Sequence, residues 1–429
     1  MAAMRLNIPA IVVPGGPMLP GKYKDMETIT LTDMRELIGR TQTGKLTEDE
    51  LLKIEKEALP GVGTCSMLGT ANTMSCLAEA LGMSLPGCGL AHAVSAKKRR
   101  IAKQSGRRIV EMVKEDLTPR KIMTREALRN GIKVSMAMGA STNSTLHLPA
   151  IAYEGGIDLS LNDFDELSRE VPYLCNIKPS GRYPLSVLEE CGGIPAVMKA
   201  IESRLDLGQM TVTGKTVGEN LADVERVEND VIFPLERPKR PEGGLAILYG
   251  NLAPNGAVVK QAGVKPSMHY FKGRARVFTS MEDASNAVSN DQIQKGDVLV
   301  IRYEGPKGGP GMREMHMTCS LIVGRGMDED CALITDGRFS GSTRGPCIGH
   351  ISPEAAAGGP IAAVEEGDEI IIDIPNRTLT LCVPDEEIKR RLRAVKHIHK
   401  PATPALARYA ALVTSADQGA VLKLPEEAE

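Results

Sequence analysis

Apolar positions in the first half of the chain recur at two spacings. An almost uninterrupted apolar run at residues 7–13 ends at a Pro-Gly-Gly-Pro turn and predicts a short buried strand of the kind found in parallel sheets. Elsewhere the spacing is helical. Helices are predicted after the capping box of Thr47 and Glu50, at residues 70–81, and in the basic amphipathic segment 97–114. This alternation indicates α/β layers up to about residue 230.

The pattern changes after a linker at residues 233–244, which holds three prolines and many charges. Beyond it, apolar runs of strand length are separated by turn residues, so we predict a β-rich domain of the barrel type. The predicted strands lie at residues 245–252, 257–260, 275–279, 297–303, 332–335, 369–374 and 378–383, the first two around an Ala-Pro-Asn-Gly turn and the last two as a hairpin. A terminal helix is predicted to open at Pro384, with acidic residues in its first turn.

Together these patterns predict an α/β fold class with two domains. Residues 1–232 are expected to form an α/β layered domain with an incomplete parallel sheet. Residues 245–429 are expected to form a β-barrel-like domain with flanking helices. A chain of 429 residues is long enough for two such domains, each with a large buried core.

The composition excludes several classes of protein. The 52 Lys and Arg residues nearly balance the 54 Asp and Glu residues, so no overall charge attracts nucleic acid or an anionic membrane. Aromatic side chains, with 8 Tyr, 5 Phe and no Trp, are too few for a platform that stacks bases. No apolar run is long enough to span a membrane. Nine cysteines without a recognisable secretory signal predict reduced thiols and a cytoplasmic protein.

One long segment is nearly free of charge. Between residues 58 and 96, Glu79 is the only charged side chain, and a glycine-rich loop there places Cys65 just before a predicted helix. Free N–H groups and the helix dipole stabilise a thiolate, so Cys65 is a candidate iron ligand or nucleophile. An inert buried cysteine is the alternative, and the sequence leaves the two open. A second uncharged run covers residues 134–153.

The loop after the predicted strand 297–303 is rich in glycine and proline and ends at Glu314. A carboxylate among small residues is a candidate ligand for a hard cation. The alternative is a surface glutamate paired with Arg313, and without further context the sequence favours that alternative.

The loop after the predicted strand 332–335 contains Ser340 in a tight turn, with Arg338 close by in sequence. Its Gly-x-x-Ser-Gly spacing differs from the nucleophile elbow of hydrolases. Ser340 is therefore either a turn residue or a catalytic group. A Ser-His-Asp triad that uses His316 or His350 is a further alternative.

Taken together, these segments resemble the dihydroxy-acid dehydratase / 6-phosphogluconate dehydratase family, and within it the dihydroxy-acid dehydratases most. The resembling stretches are residues 5–18, 63–87, 141–143, 250–260, 304–315, 336–345 and 352–356. The resemblance implies an α/β domain, a β-barrel domain and a homodimer. It also implies a hydro-lyase that removes water from a 2,3-dihydroxy acid to give a 2-keto acid, in isoleucine and valine biosynthesis.

The same resemblance implies two cofactors, an iron–sulfur cluster of the [2Fe–2S] or [4Fe–4S] type and Mg²⁺. Cys65 corresponds to a cluster ligand, Glu314 to a Mg²⁺ ligand and Ser340 to the base that takes the proton from C2. A serine is a weak base unless nearby positive charge lowers its pKa. Mg²⁺ and Arg338 are expected to supply that charge, and Arg338 is also the candidate for binding the substrate.

One departure from the family pattern changes what we expect of the chain by itself. Family members carry a segment upstream of Arg5 that supplies further cysteine, Asp and Lys ligands, and Cys76 and Cys88 match no ligand position. We therefore expect an N-terminally shortened chain that alone neither holds a normal cluster nor turns over. The open alternatives are a sugar-acid dehydratase of the same family, an inactive subunit or half of a split enzyme, and, more distantly, a serine hydrolase.

Overall fold

The computed structural model describes residues 1–226, 228–395, 398, 400 and 402–423, with a helical first half and a strand-rich second half. The elements of the first half are α1 (Ala2–Leu6), β1 (Gly21–Tyr23), β2 (Met26–Ile29), α2 (Leu31–Gln42), α3 (Glu48–Ala58), α4 (Thr70–Ala80), α5 (Ala96–Lys114), α6 (Pro119–Ile122), α7 (Arg125–Met138), α8 (Ser144–Glu154), α9 (Leu161–Glu170), α10 (Leu185–Glu190), α11 (Gly193–Ala200) and α12 (Val217–Leu221). No helix in the described ranges combines the length and the apolar character needed to cross a bilayer.

The described residues of the second half form eight strands and four helices. They are β3 (Ala246–Gly250), β4 (Ala253–Val259), β5 (Tyr270–Phe278), α13 (Met281–Ser289), β6 (Asp297–Ile301), α14 (His316–Arg325), β7 (Ala332–Thr335), β8 (Cys347–Ser352), β9 (Glu369–Asp373), β10 (Thr378–Leu381), α15 (Asp385–Ala394) and α16 (Pro404–Leu412). These strands close into one barrel in the order β10-β3-β4-β8-β7-β6-β5-β9. The α/β fold class with a barrel-like second half is therefore confirmed. The domain limits 1–232 and 245–429 stay a prediction.

The predicted helices form where their start signals lie. Thr47 and Glu50 make the capping box that opens α3, in which each side chain accepts the backbone N–H of the other residue. The hydroxyl of Ser95 accepts the N–H of Lys98 at 3.1 Å and opens α5. Helix α4 begins at Thr70 as predicted, without a side-chain cap.

The core of the first half is built around α7. All but a few residues of this helix are buried, and it packs against α4, α8 and α9. Methionines such as Met136 and Met138 fill space that aromatic rings occupy in other cores. Because α4 and α8 both rest on α7, the loops that precede these two helices are held close together.

The strand predicted at residues 7–13 is wrong. This segment belongs to no strand, and the N–H of Val12 donates to the carbonyl of Met83 at 2.8 Å. Pro9 and Pro14 each lack the N–H that a strand ladder needs. Within the described part of the first half, the only sheet is the antiparallel pair β1–β2. The parallel sheet predicted there is therefore not found.

Parallel pairing occurs in the barrel instead. Strands β5, β6, β7 and β8 run parallel to one another, and every residue of β6, β7 and β8 is buried. Continuous burial explains why β6 and β7 read as unbroken apolar runs. Ile301 at the end of β6 pairs with Thr335 at the end of β7. The loops that follow these two strands therefore leave the barrel from the same edge.

Two details of the barrel differ from the sequence prediction. Strand β8 was not predicted, because glycine, histidine and serine interrupt its apolar pattern. The turn between β3 and β4 lies at residues 251–252, and the Ala-Pro-Asn-Gly segment predicted as the turn forms the start of β4. The hairpin β9–β10 forms as predicted. A helix begins after Pro384 as predicted, but it is not the terminal helix, because α16 follows it.

Residues 21–58 form a small layer that docks onto the barrel half. It has its own apolar cluster, made by Ile29, Leu37, Ile54 and Ala58. Gly39 of α2 faces Gly324 of α14 so closely that a Cβ on Gly39 would lie 2.8 Å from the Cα of Gly324. Beside this contact, Arg344 donates to Glu36 at 3.0 Å.

We expect Gly39→Ala to lower the free energy of unfolding by about 1–3 kcal/mol, because the added methyl group pushes α2 away from α14. Gly106→Ala is the matched control, since a Cβ at this exposed position in α5 meets no atom within 4 Å. The control is expected to be neutral or slightly stabilising. Denaturant unfolding compares the two variants, and equal stabilities would contradict the close packing of α2 on α14.

Candidate active site

Four loops meet where the barrel rests on the helical half. They precede α4 and α8 and follow β6 and β7. The hydroxyls of Thr70 and Ser141 lie 3.1 Å apart, and the Nδ2 of Asn143 donates to the Oε1 of Glu314 at 3.0 Å. Glu314 and Arg338 form a backbone bridge between the two barrel loops. The fold thus brings together the loops that carry Cys65, Glu314 and Ser340.

Cys65 lies in a loop that Asn72 fixes, because the side-chain amide of Asn72 donates to the Cys65 carbonyl oxygen. Burial raises the pKa of the Cys65 thiol, the loop backbone and Arg35 oppose that change, and Glu314 adds to it. The thiolate expected from the nearby helix is therefore not favoured. Cys65 precedes the first turn of α4, and the dipole effect fades within that turn.

Glu314 has one buried polar partner and one cationic partner. Asn143 donates to its Oε1, and the Nη1 of Arg338 lies 3.8 Å from the same oxygen. Arg313, the partner considered in the sequence analysis, pairs with Glu282 instead. The surface pair of Glu314 with Arg313 is therefore wrong, and Glu314 belongs to the meeting point of the loops.

Asn143 is a site residue that the sequence analysis did not single out. The carboxylate of Glu314 can only accept, so the amide must turn its Nδ2 toward Glu314, and the same Nδ2 donates to the hydroxyl of Thr70 at 2.8 Å. The Oδ1 of Asn143 is buried and has no hydrogen-bond partner in the described structure. Two signals contained this side chain: the uncharged run at residues 134–153 and the resembling stretch at residues 141–143.

Two buried carboxylates hold the barrel loops in shape. Asp336 accepts the backbone N–H groups of Tyr303 and Glu304 at 3.0 Å each. Glu354 accepts two N–H groups of the loop after β6 at 2.8 Å each. Burial raises the pKa of both carboxyls, to about 7 for Glu354, against the opposing effect of these N–H donors. Neither group is free to act as a ligand without releasing the loops.

Ser340 lies half-buried in the turn between β7 and β8, and its hydroxyl makes no hydrogen bond to a described residue. His316 contacts the hydroxyl of Ser342 at 3.2 Å, and the Nδ1 of His350 lies 3.3 Å from the hydroxyl of Thr145. Neither histidine reaches Ser340. The Ser-His-Asp triad considered in the sequence analysis is therefore wrong for this serine.

Arg338 links the two barrel loops. Its Nε donates to the carbonyl of Met312 at 2.5 Å, and its side chain is 26% exposed. Its Nη2 makes no hydrogen bond within the described part of the chain. This guanidinium is anchored at one end and still has donors available for an anion.

The cofactors implied by the resemblance need complete sets of ligands. Among the residues that the structure describes, no group of three or more His, Cys, Asp or Glu side chains is arranged to hold a metal ion. Cys76 is enclosed in the core, and the Sγ of Cys88 lies 3.8 Å from the Nζ of Lys98, so neither accompanies Cys65. The described residues offer one thiol, one carboxylate and the unpaired oxygen of Asn143. They do not complete a site for a cluster or for Mg²⁺.

Comparison with known proteins identifies relatives over nearly the full chain. The family model "Dihydroxy-acid/6-phosphogluconate dehydratase N-terminal" matches residues 1–220, and the corresponding C-terminal model matches residues 230–420. The chain is 53% identical over 424 residues to the dihydroxy-acid dehydratase of Methanosphaera stadtmanae, covering 99% of this chain and 77% of that protein. The enzymes of the same name from Methanosarcina barkeri (54% over 426 residues, 98% and 77%) and Acetivibrio thermocellus (52% over 426 residues, 99% and 77%) are equally similar.

Gly341, next to Ser340, has no room for a side chain. A Cβ there would lie 2.6 Å from the carbonyl oxygen of Leu68 and 2.9 Å from the Cβ of Ser141. We expect Gly341→Ala to lower the free energy of unfolding by about 1–3 kcal/mol. Hydrogen–deuterium exchange in residues 336–345 should become faster at the same time. Gly61→Ala meets no atom within 4 Å and should change neither quantity. Unchanged exchange in both variants would mean that the loops do not press on each other.

Proposed function

Since the chain belongs to the dihydroxy-acid/6-phosphogluconate dehydratase family, we propose that it is a dihydroxy-acid dehydratase, a hydro-lyase acting on 2,3-dihydroxyisovalerate and 2,3-dihydroxy-3-methylvalerate in isoleucine and valine biosynthesis. The observation that carries this proposal is a sequence identity of more than 50% to three proteins of that name over at least 98% of the chain. The substrate is a small molecule, and neither nucleic acid nor a membrane is involved.

The reaction defines what the protein must supply. The C2 proton and the C3 hydroxyl leave as water, and the enol that remains rearranges to the 2-keto acid. The C2 proton lies beside a carboxylate and is very weakly acidic, so a base must be held in place and the developing negative charge stabilised. We assign the base to the hydroxyl oxygen of Ser340, which has no hydrogen-bond partner among the described residues.

Arg338 is the proposed binding residue for the substrate carboxylate. Its anchored Nε fixes the guanidinium beside Glu314, and its Nη2 retains donors for a carboxylate. The same positive charge favours ionisation of a nearby serine. Asn143 joins this assignment, because its unpaired Oδ1 is an acceptor suited to a substrate hydroxyl.

Cys65 remains the proposed ligand of an iron–sulfur cluster, [2Fe–2S] or [4Fe–4S], and Glu314 the proposed ligand of Mg²⁺. One thiol and one carboxylate do not complete either site, so no step of the reaction is derived through these groups. The expectation that this chain alone is inactive stays a prediction. The long similarity to the named dehydratases favours an enzyme over the inactive-subunit alternative.

A homodimer and a cytoplasmic location complete the proposal. All nine cysteines are free of disulfide bonds, which fits a reducing compartment. The second candidate function is a sugar-acid dehydratase, because the family model that matches the chain also includes 6-phosphogluconate dehydratases.

The substrate assignment is tested with two preparations, each reconstituted anaerobically with iron, sulfide and Mg²⁺. One is this chain, and the other is the same chain fused to the segment that the resemblance places upstream of Arg5, taken from the Methanosarcina barkeri relative. We expect the fusion to turn over 2,3-dihydroxyisovalerate with kcat/KM at least about 100-fold above pentonates and 6-phosphogluconate, because a pocket fitted to a branched apolar side chain leaves added hydroxyls unpaired. The chain alone should be inactive.

A preference for a sugar acid would move the assignment to the second candidate, and no turnover of any dihydroxy acid by the fusion would contradict the proposed function. Stoichiometric iron together with turnover in the unfused chain would refute the expectation that this chain alone is inactive. Iron content and keto-acid formation are measured on the same samples.

The role of Ser340 is tested by Ser340→Ala in the active preparation. We expect kcat to fall by about 10³-fold with little change in KM, because the base acts in the transition state and not in substrate binding. Ser342→Ala is the matched control, since that hydroxyl is already engaged with His316. A larger loss of kcat in the control than in Ser340→Ala would move the base to the neighbouring serine.

A further inference from the structure

Lys260, the residue that follows β4, is a lysine enclosed by protein on all sides. It is 2% exposed, and its Nζ donates to the carbonyl oxygen of Gly341 at 2.6 Å. Within the described ranges this Nζ forms no other hydrogen bond and no ion pair. Burial lowers the pKa of Lys260 to about 7. An ammonium group without a counter-ion is costly to bury, so its retention next to the Ser340 turn needs a reason.

The charged groups on the surrounding elements already have partners. Arg338, on the same loop as Gly341, pairs with Glu314. Arg344, farther along that loop, pairs with Glu36 at 3.0 Å. Among the described residues, no carboxylate forms an ion pair with Lys260. The Nζ of this lysine is bound to the carbonyl of Gly341, the residue that directly follows Ser340.

The hydrogen bond of Lys260 also restrains the backbone of the turn. Gly341 packs closely against the Leu68 carbonyl and the Ser141 side chain, and Lys260 donates to the carbonyl oxygen of the same glycine. The turn is thus fixed from the helical half and from the barrel. The Nζ of Lys260 is bound to one backbone oxygen, and its stem is buried in the protein. The turn that carries this oxygen is therefore held in one position.

We propose that Lys260 is a positioning residue for Ser340: it holds the Ser340–Gly341 turn through the Gly341 carbonyl and supplies the positive charge that stabilises negative charge on the Ser340 oxygen. This inference rests on the proposed role of Ser340 as the base. No bond is made or broken at Lys260, because the C2 proton passes to the serine oxygen. The missing counter-ion of the lysine is the negative charge of the ionised Ser340 oxygen, which is neutralised when that oxygen accepts the C2 proton.

Hydrogen–deuterium exchange of the 429-residue chain tests whether Lys260 holds the turn, and it requires no activity assay. We expect Lys260→Met to speed exchange at least about tenfold in residues 338–345, because methionine keeps most of the stem and removes the donor. Lys199→Met is the matched control, since Lys199 also donates to a backbone carbonyl, that of Leu221, away from this site. Unchanged exchange in residues 338–345 of Lys260→Met would overturn the positioning role.

The uncompensated charge is tested by melting temperatures from pH 6 to pH 9. The pKa of Lys260 is lowered from 10.5 to about 7 in the folded chain, so above pH 7 the unfolded chain binds a proton that the folded chain lacks. Wild-type stability should therefore rise with pH relative to Lys260→Met. A difference in melting temperature that is the same at pH 6 and pH 9 would mean that the buried lysine is not an unpaired ammonium.

The electrostatic part is tested on the preparation that turns over. We expect Lys260→Met to lower kcat about 10²-fold with KM unchanged within about threefold, and to remove the fall of kcat at alkaline pH that follows loss of the lysine proton. A purely structural lysine would lower stability and leave the shape of the pH profile unchanged, and that result would overturn the electrostatic role. If the chain proved not to be a dehydratase, the exchange and melting results would still stand. A failure of the proposed function can therefore be told apart from a failure of the role proposed for Lys260.

Discussion

The contact between the Ser340 turn and the loop before α4 is the constraint on which the site depends. A backbone carbonyl of the helical half and a buried serine leave no space for a side chain at Gly341, so the two halves of the molecule touch through main chain. Such close approach fixes distance far better than long side chains do, because backbone atoms have no rotamers to vary. The positions of Cys65 and Ser340, on either side of this contact, are therefore closely fixed relative to each other.

The geometry of the barrel explains why these loops meet at all. Parallel strands β6 and β7 end side by side, so the loops that follow them begin at neighbouring points of one edge. Each loop has little secondary structure of its own and would be mobile without support. Asp336 and Glu354 provide that support by accepting backbone N–H groups across the loops. Burying two carboxylates is unfavourable, and the N–H donors offset much of that penalty.

The sequence predicted elements better than it predicted contacts. Local signals such as the capping box at Thr47 act within one turn, and they placed α3 correctly. The run at residues 7–13 looked like a strand, yet strand formation needs a partner that lies elsewhere in the chain. The loops of Cys65, Glu314 and Ser340 were recognised by composition and by resemblance. Their mutual placement, and the contacts of Asn143 and Lys260, depend on long-range packing that no local pattern encodes.

The closed barrel has a seam. Strands β3 and β10 come from distant parts of the chain and share one registered pair, Tyr249 with Thr378. Arg377 reinforces this junction from the side by donating to Ser168 of the helical half and to Glu242 of the segment before β3. A ring of strands has no free edge once it is closed, but an open seam presents two unpaired edges. Closure is a non-local step and therefore slow to form. Until β3 and β10 pair, these edges are open to pairing with another chain, so we expect the contacts of Arg377 with the helical half to protect the chain against self-association while it folds.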